Sequence, residues 1–268
     1  MGFTEGFNVE SSTWLTLAAS IMLALAIYIV VSMLLSISME DFMKALSSSE
    51  TLFAIKLSFA TAIPSSIVAL TISIPLAYAL ARCRFKLRTA LDVLVASPMS
   101  MSPIALGTLI LFTLLKVPPG RALNDSLNIV YDVKGIVLVQ TLIATSVMTT
   151  SLKGVFSSLD IDYEELSIAL GHSWFSTLVN VVIPMSKRGL LASYLMGFLR
   201  AFTDFGATVM VAGATLFKTS TLPTAIYIAM GSGDFALALA LVSLSMIIGV
   251  AVVAVVNSLW REPIDASY

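Results

Sequence analysis

The sequence predicts an all-α integral membrane protein with six transmembrane helices and a long charged loop between the fourth and the fifth. Composition is the first observation: 58% of the 268 residues are hydrophobic and 12% are charged, with a mean hydropathy of +0.97, whereas soluble domains are about one quarter charged. The second is a series of long apolar segments, since roughly 20 such residues cross a bilayer as a helix. The whole chain, 1–268, is predicted to be one membrane domain.

The first two spans are predicted at 14–37 and 57–81. The first segment carries no charge. It is too long for the apolar part of a signal peptide, and no Lys or Arg precedes it. A short polar loop, 38–50, leads to the second span, which contains Pro64 and Pro75. A membrane helix tolerates such prolines because neighbouring helices can satisfy the freed carbonyl groups.

A tight basic cluster follows the second span. It consists of Arg82, Arg84, Lys86 and Arg88. Positive charge concentrates in cytoplasmic loops, so this loop is predicted to be cytoplasmic. A patch that binds lipid or nucleic acid is the alternative.

Two prolines interrupt the third predicted span, 93–115. Pro98 and Pro103 should bend or break this helix, and broken helices often line the pathway of a transporter. A kinked helix that only packs against its neighbours is an equal alternative. The next segment, 117–134, contains Pro-Pro-Gly and several polar residues, so it is predicted to be an external loop.

The charged interruption, 153–188, follows the fourth predicted span, 135–152. It begins with four acidic residues, Asp160, Asp162, Glu164 and Glu165. We expect two short helices joined near Gly171, because the acidic residues suit the N-terminus of the first helix and the second, 174–183, should stop at Pro184. An amphipathic element of this kind can dock in a groove of another protein.

The fifth predicted span begins after Arg188 and carries two opposite charges. Arg200 and Asp204 are four residues apart and can form a pair if the segment is helical. Ionisable residues at membrane depth usually face a protein interior or a water-filled path. One interpretation is a gate for an anion, in which Arg200 attracts the anion and Thr203 and Thr208 offer hydroxyl groups to it. The equal alternative is an internal ion pair that only orients the helix.

The last predicted span is 235–260, and six spans place both termini in the cytoplasm. The cytoplasmic face then carries most of the basic clusters, including Arg82, Lys153, Lys187, Arg188 and Arg261. The external loops keep fewer positive charges, chiefly Lys44, Arg121, Lys134 and Lys218. This distribution agrees with the excess of positive charge inside, and the predicted location is the cell membrane.

Several motifs resemble the permease subunits of ATP-binding-cassette (ABC) importers. Glu165, Gly171 and Ile183-Pro184 have the spacing of the family's coupling loop, although Leu166 and Ser167 replace two alanines. Four stretches resemble the molybdate/tungstate/sulfate branch of this family. They are Pro75-Leu-Ala-Tyr-Ala-Leu-Ala-Arg82, the Ser97-Pro to Ser-Pro103 stretch, Arg200-Ala-Phe-Thr-Asp-Phe-Gly-Ala-Thr208 and Leu222-Pro-Thr-Ala-Ile-Tyr227. The family commonly has Gly-Glu in place of Thr203-Asp204. The resemblance covers about 52–260.

The resemblance implies a role for the coupling loop and a set of partners. The loop would seat in a cleft of a cytoplasmic ATPase through Glu164, Glu165, Ala169, Leu170, Gly171, His172 and Pro184. Pathway or gate residues would be Pro98, Pro103, Arg200, Thr203, Asp204 and Thr208. The implied assembly is a homodimer of this chain in the bilayer, with two ATPase subunits and an external binding protein. That binding protein would deliver a tetrahedral oxyanion, with molybdate or tungstate favoured over sulfate or thiosulfate.

The sequence also argues against other classes of protein. No Gly-Lys dipeptide occurs, so there is no Walker phosphate loop, and ATP and Mg would be bound by the partner ATPase. We therefore predict a transport subunit rather than an enzyme. Cys83 and His172 are the only residues of their types, so no disulfide, metal site or cofactor is expected in this chain. A net charge of −1 gives no support for nucleic-acid binding.

Two rival classes remain open. An ion-coupled secondary transporter would also use broken helices, but it should show internal repeats and carboxylates within its spans, where Asp204 is the one good candidate. A non-transport membrane subunit, such as a cofactor-anchoring or assembly protein, would usually show paired histidines for haem, and His172 is more readily interpreted as a polar residue at the membrane boundary. The sequence does not indicate which oxyanion is carried.

Overall fold

The computed structural model describes residues 9–35 and 38–260, and the regular elements in these ranges are helical. In chain order they are α1 (Val9–Leu35), α2 (Met39–Ser47), α3 (Ser49–Arg82), α4 (Arg88–Ser100), α5 (Pro103–Lys116), α6 (Pro118–Leu127), α7 (Val133–Ser158), α8 (Asp162–Ala169), α9 (Trp174–Thr177), a π-helical turn (Leu178–Val182), α10 (Ile183–Met185), α11 (Lys187–Phe202), α12 (Gly206–Ala212), α13 (Leu222–Ser232) and α14 (Phe235–Trp260).

Among the described residues, three unbroken helices are long and apolar enough to cross a membrane: α3, α7 and α14. Two bent pairs pass the same test together, α4 with α5 at a bend of 114° and α11 with α12 at 56°. The described residues therefore contain three candidate spans, or up to five if each bent pair is one span. The apolar stretch of α1, Thr16–Ser32, is shorter, so the six-span count stays a prediction. The two termini lie outside the described residues.

The long helices follow the apolar runs of the sequence. The last predicted span, 235–260, coincides with α14, and α3 extends the second predicted span to Ser49–Arg82. α3 remains one helix through both of its prolines. The predicted break near Pro98 and Pro103 is confirmed, because α4 ends at Ser100 and α5 begins with Pro103 at its first position.

Helical structure in the short connections departs from the sequence prediction. Segments 38–50 and 117–134 were expected to be loops, yet they contain α2 and α6. In α6 the two prolines occupy the first turn, where the missing N–H group has no helical partner to lose. The helix after Gly171, predicted to stop at Pro184, ends one residue later, at Met185. A π turn, Leu178–Val182, lies just before this last stretch and is separated from Pro184 by one residue; π turns are rare and often lie at functional sites.

The centre of the fold is the packing of α3 against α7. Small residues of α3, including Ala62 and Ala69, form one buried cluster with Ala144 and Met148 of α7. Ser73 of α3 donates a hydrogen bond to a backbone carbonyl of α7, at 3.2 Å. Small side chains let membrane helices approach closely, and hydroxyl groups then bond across the interface. This pair of helices, with α11 packed against both, forms the frame that positions the segments described next.

Candidate coupling segment and broken helices

A glycine turn divides the segment after α7 into two helical parts. Gly171 has a φ of +91° between α8 and α9, in a region that L side chains rarely adopt. A Cβ at Gly171 would have no atom within 4 Å, so the requirement is conformational rather than steric. Ser173 then caps α9 by accepting a hydrogen bond from the Ser176 N–H, at 3.2 Å. The predicted joint near Gly171 is confirmed.

The inner side of this turn is held together by polar and aromatic contacts. The hydroxyl groups of Ser167 and Thr177 lie 3.0 Å apart and are buried, so they connect α8 to α9. The Trp174 ring lies 6.0 Å from the ring of Tyr78 in an edge-on arrangement. The helices on both sides of Gly171 are therefore packed against each other and against α3.

Glu164 is the strongest attachment of this segment to the rest of the protein. Its carboxylate accepts hydrogen bonds from the Tyr78 hydroxyl at 2.8 Å and from Arg82 Nε at 2.9 Å. The Arg82 guanidinium also donates to the carbonyl of Leu159, at 2.9 Å. Glu164 is only 4% exposed. A charge that is buried to this degree persists because it is paired and hydrogen-bonded on both oxygens.

The exposed side of the segment carries several large apolar side chains. Leu170 is 72% exposed and Phe175 is 75% exposed. Large apolar side chains also lie open at Tyr163, Leu166, Ile168, Trp174 and Val179. The segment lies outside the candidate membrane spans, and apolar side chains that are exposed outside a span favour contact with another protein.

The predicted coupling residues therefore lie in two environments. Glu164 points inward to α3. The others lie on exposed positions of the segment: Glu165, Ala169, Leu170, Gly171, His172 and Pro184. The sequence prediction assigns both Glu164 and Glu165 to the ATPase contact, with Glu165 carrying the family spacing, whereas the structure buries Glu164 against α3 and leaves Glu165 exposed.

Ion pairs connect several segments that are predicted to be cytoplasmic, and they lie at one end of the molecule. Arg82 joins the end of α3 to the start of α8, and Lys153 near the end of α7 pairs with Asp92 of α4 at 2.6 Å. Arg84 and Lys86 are exposed and form no ion pair within the part of the chain that the structure describes. One end of the helical frame thus carries the basic loop, the acidic turn and the apolar face together.

The second candidate region is the contact between the two bent helix pairs. A Cβ added to Gly206 of α12 would lie 2.9 Å from the Cβ of Pro103. A Cβ added to Gly107 of α5 would lie 2.7 Å from the Cα of Ala207. α5 and α12 therefore cross with their backbones in close contact, next to both helix breaks. Discontinuous helices that meet in this way are typical of substrate pathways in transporters.

The predicted pair of Arg200 and Asp204 forms, at 3.3 Å. The Asp204 side chain is fully buried, whereas about one third (33%) of the Arg200 side chain is exposed. Asp204 also accepts hydrogen bonds from the backbone N–H and the hydroxyl of Thr208, both at 2.9 Å. Asp204 thus caps the first turn of α12, in addition to pairing with Arg200.

The remaining predicted pathway residues lie in different surroundings. Thr203 is exposed, and its hydroxyl donates to the carbonyl of Leu199 at 2.8 Å. Pro98 lines a cleft of about 630 Å³ between α3, α4, α5 and α7, whose lining is aliphatic with a few hydroxyl groups. That lining holds no charged side chain, so this cleft does not suit an anion.

Sequence reasoning missed two residues of the site, Tyr78 and Arg82. Both lie in a motif that was recognised, but neither was chosen as a functional residue. The signal was their spacing: two polar side chains four residues apart lie on one face of a helix, here at the end of an otherwise apolar run.

Comparisons with known proteins all point to one family of transport proteins. Residues 69–261 match the model of the binding-protein-dependent transport system inner membrane component. A probable molybdenum ABC transporter permease of Haloferax volcanii is 31% identical over 201 residues, covering 74% of this chain and 72% of that protein. The sulfate transport system permease CysT of Escherichia coli is 25% identical over 257 residues, covering 95% and 92%.

A solved structure shows the same fold. A bacterial ABC transporter involved in the import of the acidic polysaccharide alginate superposes with a TM-score of 0.67 at 15% identity, over 97% of this chain and 100% of that chain. The model match extends over well more than half of the sequence. The chain therefore belongs to the binding-protein-dependent transport system inner membrane component family, the membrane permease subunits of ABC importers, and its relatives include molybdenum and sulfate permeases.

Proposed function

We propose that this chain forms the membrane pathway of an ATP-driven importer for a tetrahedral oxyanion, with molybdate or tungstate as substrate. The observation that carries the proposal is the set of exposed apolar side chains around Gly171, on a segment that is hydrogen-bonded to α3 at the end of the molecule that carries the basic loop. These side chains lie outside the candidate membrane spans, where they cannot be explained by contact with the apolar interior of the bilayer and favour association with another protein.

The partner that fits this face is a cytoplasmic ATPase subunit. Trp174 and Phe175 are exposed aromatic side chains next to the exposed Leu170, and aromatic residues are enriched at protein interfaces. The ATPase would bind ATP and Mg, and this chain would bind neither. Closure of an ATPase pair would move two such faces together and open the pathway outward, and release of ADP would reverse the movement.

The proposed assembly has two copies of this chain, two ATPase subunits and an external binding protein. Each copy would cross the membrane six times, with α1 as the first span and each bent pair as one span. The ion pairs of Arg82 and Lys153 gather the basic loop and the segment around Gly171 at one end, which supports a common cytoplasmic face for them. Both termini would lie on that face.

The substrate proposal rests on the relatives and on one cation. The Haloferax relative is named for molybdenum and the more distant Escherichia relative for sulfate, so sulfate or thiosulfate is the alternative. Arg200 is the cation at the break of α11 and α12, and part of its side chain is exposed. Its guanidinium suits the geometry of an oxyanion, whereas buried Asp204 would orient it.

The decisive experiment is uptake into proteoliposomes that contain this chain, the ATPase and the binding protein from its genomic neighbourhood. Elemental mass spectrometry would count molybdenum, tungsten and sulfur inside the vesicles, with and without ATP. We expect ATP-dependent uptake of molybdenum or tungsten that excess sulfate does not displace. ATP-dependent uptake of sulfur alone would support the ATP-driven importer but change its proposed substrate to sulfate or thiosulfate. Uptake without ATP in an assembled complex would favour an ion-coupled secondary transporter and refute the proposal.

A second experiment tests the docking face directly. Leu170→Asp places a charge in the exposed apolar surface, so the ATPase should no longer co-purify with the chain. Because Leu170 is exposed, the thermal stability of the permease alone should not change. Leu123→Asp on α6 is the matched control, since Leu123 is also an exposed leucine but lies far along the chain from this face. Equal ATPase recovery from both variants would contradict the docking assignment.

A further inference from the structure

We infer that Glu164, Tyr78 and Arg82 form a latch that makes α8 and α3 move as one body, so that α3 carries the movement of the docked ATPase across the membrane. This inference rests on the proposed function and deepens it, because it assigns a positioning role to three residues of the same site. Glu164 then acts within the permease rather than on the ATPase surface.

The geometry of the latch leaves little freedom between the two helices. Arg82 approaches one carboxylate oxygen of Glu164 with Nε at 2.9 Å and Nη2 at 2.7 Å. The Tyr78 hydroxyl holds the other oxygen at 2.8 Å. The side chains of the ion pair are 9% and 6% exposed. Charge-assisted bonds in a site with little water are strong and directional, so a displacement of α8 must move the end of α3.

The latch lies close to the proposed docking face. α8 has 8 residues, which corresponds to about 12 Å of helix. Glu164 is in its first turn, and the exposed Leu170 directly follows its last residue. A force on the docking face therefore reaches the latch through one short helix, which Ser167 also ties to the helix after Gly171.

The N-terminal half of α3 is hydrogen-bonded to the start of another helix, α13. Ser58 is fully buried, and its hydroxyl accepts a hydrogen bond from the N–H of Leu222, the first residue of α13, at 2.7 Å. Arg82 is 24 residues further along the same unbroken helix, a distance of roughly 36 Å. Ser65 and Ser73 connect α3 to carbonyl groups of α7 on the way. α3 therefore links the latch to α13 on the opposite side of the fold.

A merely structural ion pair would behave differently from a latch. If the pair only stabilises the fold, its loss should lower stability, ATP hydrolysis and import together. If it transmits movement, its loss should leave an assembled complex that hydrolyses ATP while importing less oxyanion for each ATP. The ratio of import to hydrolysis therefore separates the two roles.

The test compares Glu164→Gln, Arg82→Gln and Tyr78→Phe in the reconstituted complex. We expect each complex to assemble and hydrolyse ATP, with import per ATP reduced about fivefold or more for the first two variants, the lower range of coupling between sites. The double variant of Glu164 and Arg82 should be no worse than either single variant, because both remove the same interaction. Arg121→Gln is the control, since its ion pair with Asp125 is exposed and long at 3.7 Å.

Two results would overturn the latch. One is an unchanged import per ATP in the assembled Glu164→Gln complex. The other is a parallel loss of hydrolysis, import and thermal stability. If Glu164→Gln does not assemble, Tyr78→Phe decides, since it removes one hydroxyl group of the latch and keeps the ion pair. A reduced import per ATP in that variant supports the latch, and an unchanged ratio refutes it.

A readout independent of import separates failure of the latch from failure of the proposed function. Nucleotide binding by the ATPase should change amide hydrogen exchange at the first turn of α13 in the unmodified complex, and Glu164→Gln should abolish that change. Suppose that the unmodified complex shows this change in hydrogen exchange, that Glu164→Gln abolishes it, and that no oxyanion is imported. That result would refute the substrate proposal and support the latch. The same change in both complexes would refute the latch.

Discussion

Gly206, the first residue of α12, lies against Pro103, the first residue of α5, so the two bent helix pairs meet at their breaks. A Cβ at Gly206 would also come within 3.1 Å of the backbone nitrogen of Ile104. Near the next turn of α5, a Cβ at Gly107 would lie 2.9 Å from the carbonyl oxygen of Ala207. Backbone contacts backbone at this crossing, and neither position has room for a side chain.

Alanine at Gly107 or Gly206 should therefore push α5 and α12 apart. The contacts involve backbone atoms and a proline ring, which cannot move aside cheaply, so we expect a loss of about 1–3 kcal/mol of stability. Thermal unfolding in detergent measures the loss. Gly249→Ala on α14 is the matched control, since a Cβ there would have no neighbour within 4 Å. Equal melting temperatures for Gly107→Ala and Gly249→Ala would contradict the close crossing.

The cap formed by Asp204 gives a second prediction, at Thr208. Thr208→Val keeps the shape of the side chain but removes the hydroxyl group that donates to Asp204 at 2.9 Å. Thr208 is fully buried, so we expect a loss of about 2 kcal/mol, typical of a lost hydrogen bond to a charged group. Thermal unfolding in detergent checks this value.

Thr203→Val is the matched control for Thr208→Val. Thr203 is exposed and bonds only to a carbonyl of its own helix, at 2.8 Å, so its replacement should change stability by less than about 0.5 kcal/mol. A larger effect at Thr203 than at Thr208 would show that the hydrogen bond from Thr208 to Asp204 does not stabilise the fold.

The broken helices were predictable from the sequence, but their contact was not. Prolines interrupt the apolar run before α5, and a helix must respond to that interruption locally. The approach of Gly206 to Pro103 joins two segments that are about one hundred positions apart in the sequence. Their relative placement follows from the packing of α5 on α12, which no local pattern specifies.

The different surroundings of Glu164 and Glu165 also follow from long-range packing rather than from a local pattern. Both acidic residues suit the first turn of α8, so the sequence predicts the helix and its polarity. Which carboxylate faces α3 depends on the rotation of α8 about its own axis, and Arg82 fixes that rotation through a contact across the fold. The short helices α2 and α6 were missed because polar residues and a Pro-Pro-Gly start resemble those of a loop.

Gly171 gives a prediction that separates backbone conformation from packing. Gly171→Ala meets no neighbour, since no atom lies within 4 Å of the added Cβ, but it must adopt a φ of +91°. We expect a strain of about 1–2 kcal/mol, relieved by distortion of the turn between α8 and α9. The affinity for the ATPase should then fall roughly tenfold. Gly171→Asn should lose less, because Asn enters left-handed conformations more readily. Identical affinities for Gly, Asn and Ala would refute a role for this turn.

The predicted orientation can be tested with two cysteines at the ends of α7. α7 has 26 residues, which corresponds to about 39 Å of helix, more than the roughly 30 Å of a bilayer core. Ser126 precedes α7 and Ser157 lies at its end, and both are exposed. If α7 crosses the membrane, these two positions must lie on opposite sides.

The experiment uses the chain without its partners and with Cys83→Ser, which removes the single native thiol. A membrane-impermeant maleimide should label Ser126→Cys in intact cells and Ser157→Cys only after permeabilisation. Labelling of both positions from outside would contradict α7 as a span. The reverse pattern would place the acidic turn outside the cell, where no ATP is available, because the loop after α7 stays with the Ser157 end of the helix. Orientation and energy source are therefore tested by one measurement, since an ATPase can reach the face around Gly171 only if Ser157 is cytoplasmic.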